Sequence, residues 1–264
     1  MHWSVLVIFA VILVGLARGG FREAHPDRPA WQYWLASAVT AAVFLLSLLA
    51  HELSHAIVAR RNGVSVEDIT LWLLGGLARL NSEARSPGAE LRIAGVGPLV
   101  SLVLGALFAL AAGLLATAAG DGLVIGALAW LAAINILLAV FNALPAAPLD
   151  GGRLLRAAVW WKTGSPLRAT AVATSAGRAL GWVLVGLGLY LVLVGAVFSG
   201  IWLAVIGWFV IVVATAEGGQ AKLRELLGGI PVSEAMTSDP VTVPGLTTVS
   251  EFLTDPRYRY RHSA

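Results

Sequence analysis

Long apolar runs recur along the chain, separated by short stretches in which charge, proline and glycine collect. Runs at about 3–19, 31–59, 93–119, 122–144, 172–198 and 200–216 are nearly free of charge. Each approaches or exceeds the roughly 20 residues a helix needs to cross the hydrocarbon core of a bilayer. The pattern predicts an all-α polytopic membrane protein of about six transmembrane helices. The first and last runs are short enough to be tilted, interfacial or packed inside the bundle. Between the second and third runs, V-E-D-I-T-L-W-L-L-G-G-L-A-R-L holds an apolar, β-prone stretch, Ile69 to Leu74, that is too short to span. It ends at Gly75-Gly76 and then resumes, which predicts a short membrane-associated β-hairpin. The third run opens with Gly95, Gly97 and Pro98, and glycines there predict close helix packing. After Ala216 the pattern becomes that of a soluble segment. A transmembrane domain over 1–216, a short amphipathic linker over 217–230 and a new unit over 231–264 follow, the last too small to bury a core alone.

Composition supports the membrane reading: 58% of residues are hydrophobic and 12% charged, with a mean hydropathy of +0.82. Only Met1 and His2 precede the first apolar run, so the basic start of a cleaved signal peptide is missing and the first segment is expected to stay. The chain has no cysteine, which excludes disulfides, thiolate metal sites and a cysteine nucleophile. A net charge of +3 does not imply nucleic acid, because the cations lie in loops rather than in an aromatic-interleaved patch. With six spans and a cytoplasmic N-terminus, every Lys and Arg except Arg18, Arg22 and Arg28 falls on the cytoplasmic side, the bias expected of membrane topology. Arginine far outnumbers lysine and alanine is abundant, a composition that suggests a bacterial plasma membrane.

Chemistry concentrates at two places. H-E-L-S-H occupies 51–55, late in the second run. Residues four apart share one helical face, so His51 and His55 can meet one Zn2+, while Glu52 lies nearby to take a proton from water. Three polar groups in five positions of an apolar helix are costly there and call for a compensating partner. A catalytic zinc usually takes three protein ligands. Of the acids, only Glu52 and Asp150 are associated with spans on this reading, which nominates Asp150. It sits in N-A-L-P-A-A-P-L-D-G-G-R, where two prolines break helix and two glycines permit unusual backbone angles. The alternative for Asp150 is a plain helix cap.

H-E-L-S-H followed by N-A-L-P-A-A-P-L-D-G-G-R resembles the paired signature of the site-2 protease family, over about 1–216. The resemblance implies an intramembrane zinc metalloendopeptidase cutting peptide bonds in or near transmembrane segments of membrane-bound regulators such as anti-sigma factors. It further implies metal ligation by His51, His55 and Asp150, Glu52 as catalytic base and Asn142 as a catalytic donor to substrate or oxyanion, with the site toward the cytoplasm. Asn135, two turns before Asn142, reads as an interhelical hydrogen bond. V-S-E-A-M-T-S-D-P-V-T-V resembles the start of a cystathionine-β-synthase-type (CBS) domain, an incomplete α/β fragment here. Adenine nucleotide would be a partner only of a complete pair of such domains. Competing readings fit less well. A lipid-amide hydrolase would spread more histidines over several helices, a cation transporter would not need Glu52, and serine or aspartyl chemistry lacks G-x-S-x-G or a second intramembrane aspartate.

Overall fold

The computed structural model describes residues 4–64, 66–72, 75–80, 84–120, 122–227, 231, 243 and 245–254. Among these, six helices are long and apolar enough to cross a membrane. The first is composite: α1 (Ser4–Gly15), a π-helical turn over Leu16–Gly20, and α2 (Phe21–Ala24). It outruns the expected end at 19 because Leu16, Ala17 and Phe21 pack with Tyr33 of the next helix and carry the segment past Arg18. Helix α3 (Ala30–Arg61) follows, then strands β1 (Val66–Trp72) and β2 (Gly75–Leu80), then α4 (Pro87–Ala119), α5 (Leu123–Asn142), α6 (Asp150–Thr163), α7 (Pro166–Leu193), α8 (Val197–Leu227) and α9 (Val249–Thr254).

Helix ends follow local chemistry. At the end of α3, Gly63 takes φ +74°, its N–H bonds the Arg60 carbonyl and the Val64 N–H bonds that of Ala59. This is a Schellman closure, with Val64 and Ala59 packed in one apolar cluster with Ala84, Ala89 and Ile93. Helix α4 starts at Pro87 rather than 93 because Ser86 caps it, its Oγ accepting from the Ala89 N–H at 3.3 Å, with proline in the first turn. The early start brings Glu90 into the helix, fully buried, so Glu52 and Asp150 are not the only acids associated with the spans.

The interior is built from small residues. Ala41, Ala59, Ala94, Ala157, Ala169 and Ala214 are buried, whereas Leu110, Leu193 and Phe198 are widely exposed on the outer surface. That inversion suits a lipid environment, where close backbone approach rather than apolar burial joins helices. Helix α4 is the hub, packing on α3, α5 and α6, and α6 packs in turn on α7. Between α7 and α8, Gly181 and Gly188 lie against the backbone of Gly207 and Gly200, too close for any Cβ.

Strands β1 and β2 pair antiparallel, Leu71 opposite Gly76 and Trp72 opposite Gly75, with an irregularity near Val66. Gly75-Gly76 therefore lies within β2, and the connection falls on 73–74, outside the described residues. Chain packing separates Met1–Ala221 from Lys222–Ala264. Helix α8 continues through the expected linker as far as Leu227. In the second unit, the Thr248 hydroxyl and N–H both donate to Glu251. This closes a capping box at the start of α9 and holds the Glu251 carboxyl below its ordinary value. Most of the CBS-type motif lies outside the described residues.

Candidate metal centre

Four residues apart on α3, His51 and His55 lie edge to face, one turn apart, with ring centroids 4.9 Å apart, and both are buried. Their outward nitrogens are anchored by α4. His55 Nδ1 lies 2.6 Å from the Ile93 carbonyl, which can only accept. In its neutral form His55 therefore carries the proton on Nδ1 and presents a lone pair at Nε2. His51 Nδ1 lies 2.9 Å from Ser101 Oγ, an arrangement that likewise turns Nε2 inward.

The third group arrives from α6. Asp150 is the first residue of that helix, and its N-cap, Leu149, makes no side-chain cap bond. The Asp150 carboxylate turns instead toward the histidines: Oδ2 is 3.3 Å from His51 Nε2 and 3.1 Å from His55 Nε2. The preceding loop makes this possible. A Cβ on Gly151 would come within 2.2 Å of the Leu144 carbonyl oxygen, and one on Gly152 within 2.4 Å of the Ala147 nitrogen. The loop thus lies directly on the start of α6. The Ala147 N–H also bonds the Ala173 carbonyl of α7, and the Ala147–Pro148 peptide is cis.

Gly97 closes the site from α4. A Cβ there would stand 2.1 Å from His55 Nε2 and 2.7 Å from His51 Nε2. It would fill the space that an ion shared by those nitrogens requires. Glycine leaves that space open, which sequence reading had credited to helix packing.

The donor set fits zinc. Its three facing atoms form a triangle with sides of 3.1, 3.2 and 3.3 Å. A tetrahedron built on zinc bonds of about 2.0–2.1 Å has edges of roughly 3.3–3.4 Å. With Nε2 of both neutral imidazoles deprotonated, three lone pairs face one another at that distance and repel unless a cation sits among them. Among the described residues this trio is the one grouping of His, Asp or Glu placed to share a metal.

Of the other expected residues, Glu52 shares the helix of the histidines and the two asparagines lie on α5. Glu52 is half-buried on the same turn of α3. Asn142 ends α5, its amide donating to the Leu138 carbonyl at 3.1 Å within the same helix. Asn135 does not bond across helices through that amide; it donates to Leu131 of its own helix at 2.8 Å. Sequence reading missed Ile93, Ser101 and Gly97 as parts of the site. The usable signal was spacing: Gly97 and Ser101 stand four apart, as His51 and His55 do, and face them.

A metal seat of two histidines on a membrane-spanning helix and one aspartate from a short helix packed beside the spans defines a membrane metallohydrolase. The model of peptidase family M50 matches residues 39–119 and 112–184. Rip3 of Mycobacterium tuberculosis, named for a zinc metalloprotease, is 46% identical over 270 residues, covering all of this chain and 67% of that protein. A zinc metalloprotease of Methanocaldococcus jannaschii is 33% identical over 249 residues, covering 94% of this chain and 66% of its own. The solved site-2 protease from that organism superposes with a TM-score of 0.52 at 30% identity, covering 82% of this chain and 88% of the other. The chain belongs to peptidase family M50, the intramembrane zinc metalloproteases. It spans about two thirds of the length of these curated relatives.

Proposed function

We propose that the chain hydrolyses peptide bonds in or beside transmembrane segments of membrane-bound regulatory proteins, anti-sigma factors being one such class. His51, His55 and Asp150 hold the metal, Glu52 is the general base and Asn142 an oxyanion donor. The observation that carries this reading is the triangle of ligand atoms that Asp150 of α6 completes with two buried histidines of a helix long enough to span. Zinc, when bound, supplies Lewis acidity that lowers the pKa of water and polarises a carbonyl. Glu52, half-buried beside the ligand turn, accepts the proton of the attacking water and returns it to the leaving amine. The Asn142 amide exchanges its Leu138 partner for the developing oxyanion. A helical substrate must unwind to be cut. The β1–β2 pair, read as a membrane-associated hairpin, offers an edge along which the extended segment can align.

Residues 1–216 form the catalytic membrane domain, 217–230 a linker that α8 carries as far as Leu227, and 231–264 a CBS-type unit; adenine nucleotide belongs to a pair of such units. The protein is assigned to a bacterial plasma membrane with its site nearer the cytoplasm. Arg60 and Arg61 end α3, and at 1.5 Å per residue His55 and His51 lie roughly 8 and 14 Å from Arg60 along the helix.

Two experiments test this reading. Asp150→Ala is expected to lower zinc affinity and proteolysis together, by at least about 10-fold, the scale reached when even a supporting residue of a metal site is lost. Unchanged zinc binding would return Asp150 to a structural role. Because the chain lacks cysteine, single cysteines at Asn62 and Ser165 should react with an impermeant thiol reagent only from the cytoplasm, and one at Gly122 only from outside. Exterior labelling at Asn62 in intact cells would invert the topology.

A further inference from the structure

Helix α6 must deliver Asp150 to two histidines carried by α3; Gly151 and Gly152 seat its first turn on the loop that precedes it, but have no side chains with which to tie α6 to α4. That tie comes from further along. Glu90 of α4 is fully buried, yet it faces two cations. Its Oε1 accepts from Arg153 Nε at 3.1 Å and its Oε2 from Arg156 Nη2 at 2.7 Å. Arg153 and Arg156 stand three and six residues after Asp150, so all three fall within an arc of roughly 120° around α6. Gly97 stands seven residues after Glu90, two turns along the same face of α4. One stripe of α4 therefore holds α6 at Glu90 and seats the histidines at Ile93, Gly97 and Ser101.

We propose that Glu90 is a positioning residue for the metal centre. Through Arg153 and Arg156 it sets the rotation and axial register of α6 on α4, and so places the Asp150 carboxylate opposite His51 and His55. A buried carboxylate is a poor device for stability alone, because well-packed apolar residues do as well without the desolvation cost. Two directional, charge-assisted contacts to one helix do what apolar packing does not: they fix where that helix stands. The requirement is strict, since metal sites tolerate only about 0.2 Å of error in ligand distance. This inference rests on Asp150 being a zinc ligand.

The test is a double-mutant cycle on zinc affinity, measured by chelator competition on the full chain in lipid nanodiscs, for the wild type, Glu90→Gln, Asp150→Ala and the double variant. Glu90→Gln should weaken zinc about 10- to 100-fold, the usual cost of losing a supporting residue. In the Asp150→Ala background it should cost nothing further, because the ligand it places is already gone. An equal loss in both backgrounds, or none in either, overturns the role of Glu90 while leaving Asp150 a ligand. An unchanged affinity in Asp150→Ala itself overturns the ligand reading and this inference with it. Should Glu90→Gln fail to fold, Arg156→Gln, which leaves Glu90 its Arg153 contact, enters the same cycle with the same outcomes.

Discussion

Glu52→Gln is expected to purify with a full complement of zinc and to lose about 10²- to 10⁴-fold in proteolysis, the range attributed to a general acid–base group. The substitution nearly keeps the volume and the helix while replacing the carboxylate, which can accept a proton, with a neutral amide, which cannot. His51, His55 and Asp150 are untouched, their ligand atoms 3.1 to 3.3 Å apart, so metal content should not change. Zinc analysis beside cleavage of a model membrane substrate reads both effects in one preparation. Full cleavage by this variant would show that Glu52 is not the base; loss of zinc along with activity would show that it supports the metal rather than the proton transfer.

Gly97→Ala should have an effect of similar size by the opposite route, emptying the metal centre. The added carbon would lie 2.1 Å from His55 Nε2 and 2.7 Å from His51 Nε2, distances at which the rings or the α4 backbone must move, by about an ångström at His55. Metal sites accept about a fifth of that. Zinc per chain should fall from about one toward zero, with proteolysis falling in step, while helix content by circular dichroism stays near that of the wild type. The control is Gly113→Ala on the same helix, where nothing lies within 4 Å of the new carbon and zinc should be retained. Retention of zinc by Gly97→Ala would mean that the histidines stand farther from α4 than described.

Local patterns were legible and distant ones were not. The spans could be read because apolar runs of membrane length need no partner to be recognised. The His51–His55 pair could be read because helical spacing alone puts both rings on one face. Asp150 was reachable by elimination among the acids, but that elimination overlooked Glu90. The run A-E-L-R looks like the solvated end of a helix, and the partners that bury Glu90 come 63 and 66 residues later. Gly97 failed for a related reason: a glycine in an apolar helix has many uses, and only the position of α3 shows that imidazoles occupy the space above it. The bounds of the first span moved because packing against Tyr33 outweighed the charge of Arg18. Asn135 was expected to reach across to a neighbour, and its amide found the carbonyl one turn back instead.

The account stands on zinc-dependent cleavage at this centre, and one measurement addresses that directly. The full chain is reconstituted in lipid with a labelled single-span substrate, stripped of metal with a chelator, and reloaded with a stoichiometric amount of zinc; the products are then mapped by mass spectrometry. Cleavage should disappear on stripping and return on reloading, with the cut in or beside the substrate's transmembrane segment, and reloading should fail to restore it in Asp150→Ala. Cleavage that persists in stripped protein, or that zinc restores equally well in Asp150→Ala, would contradict the account.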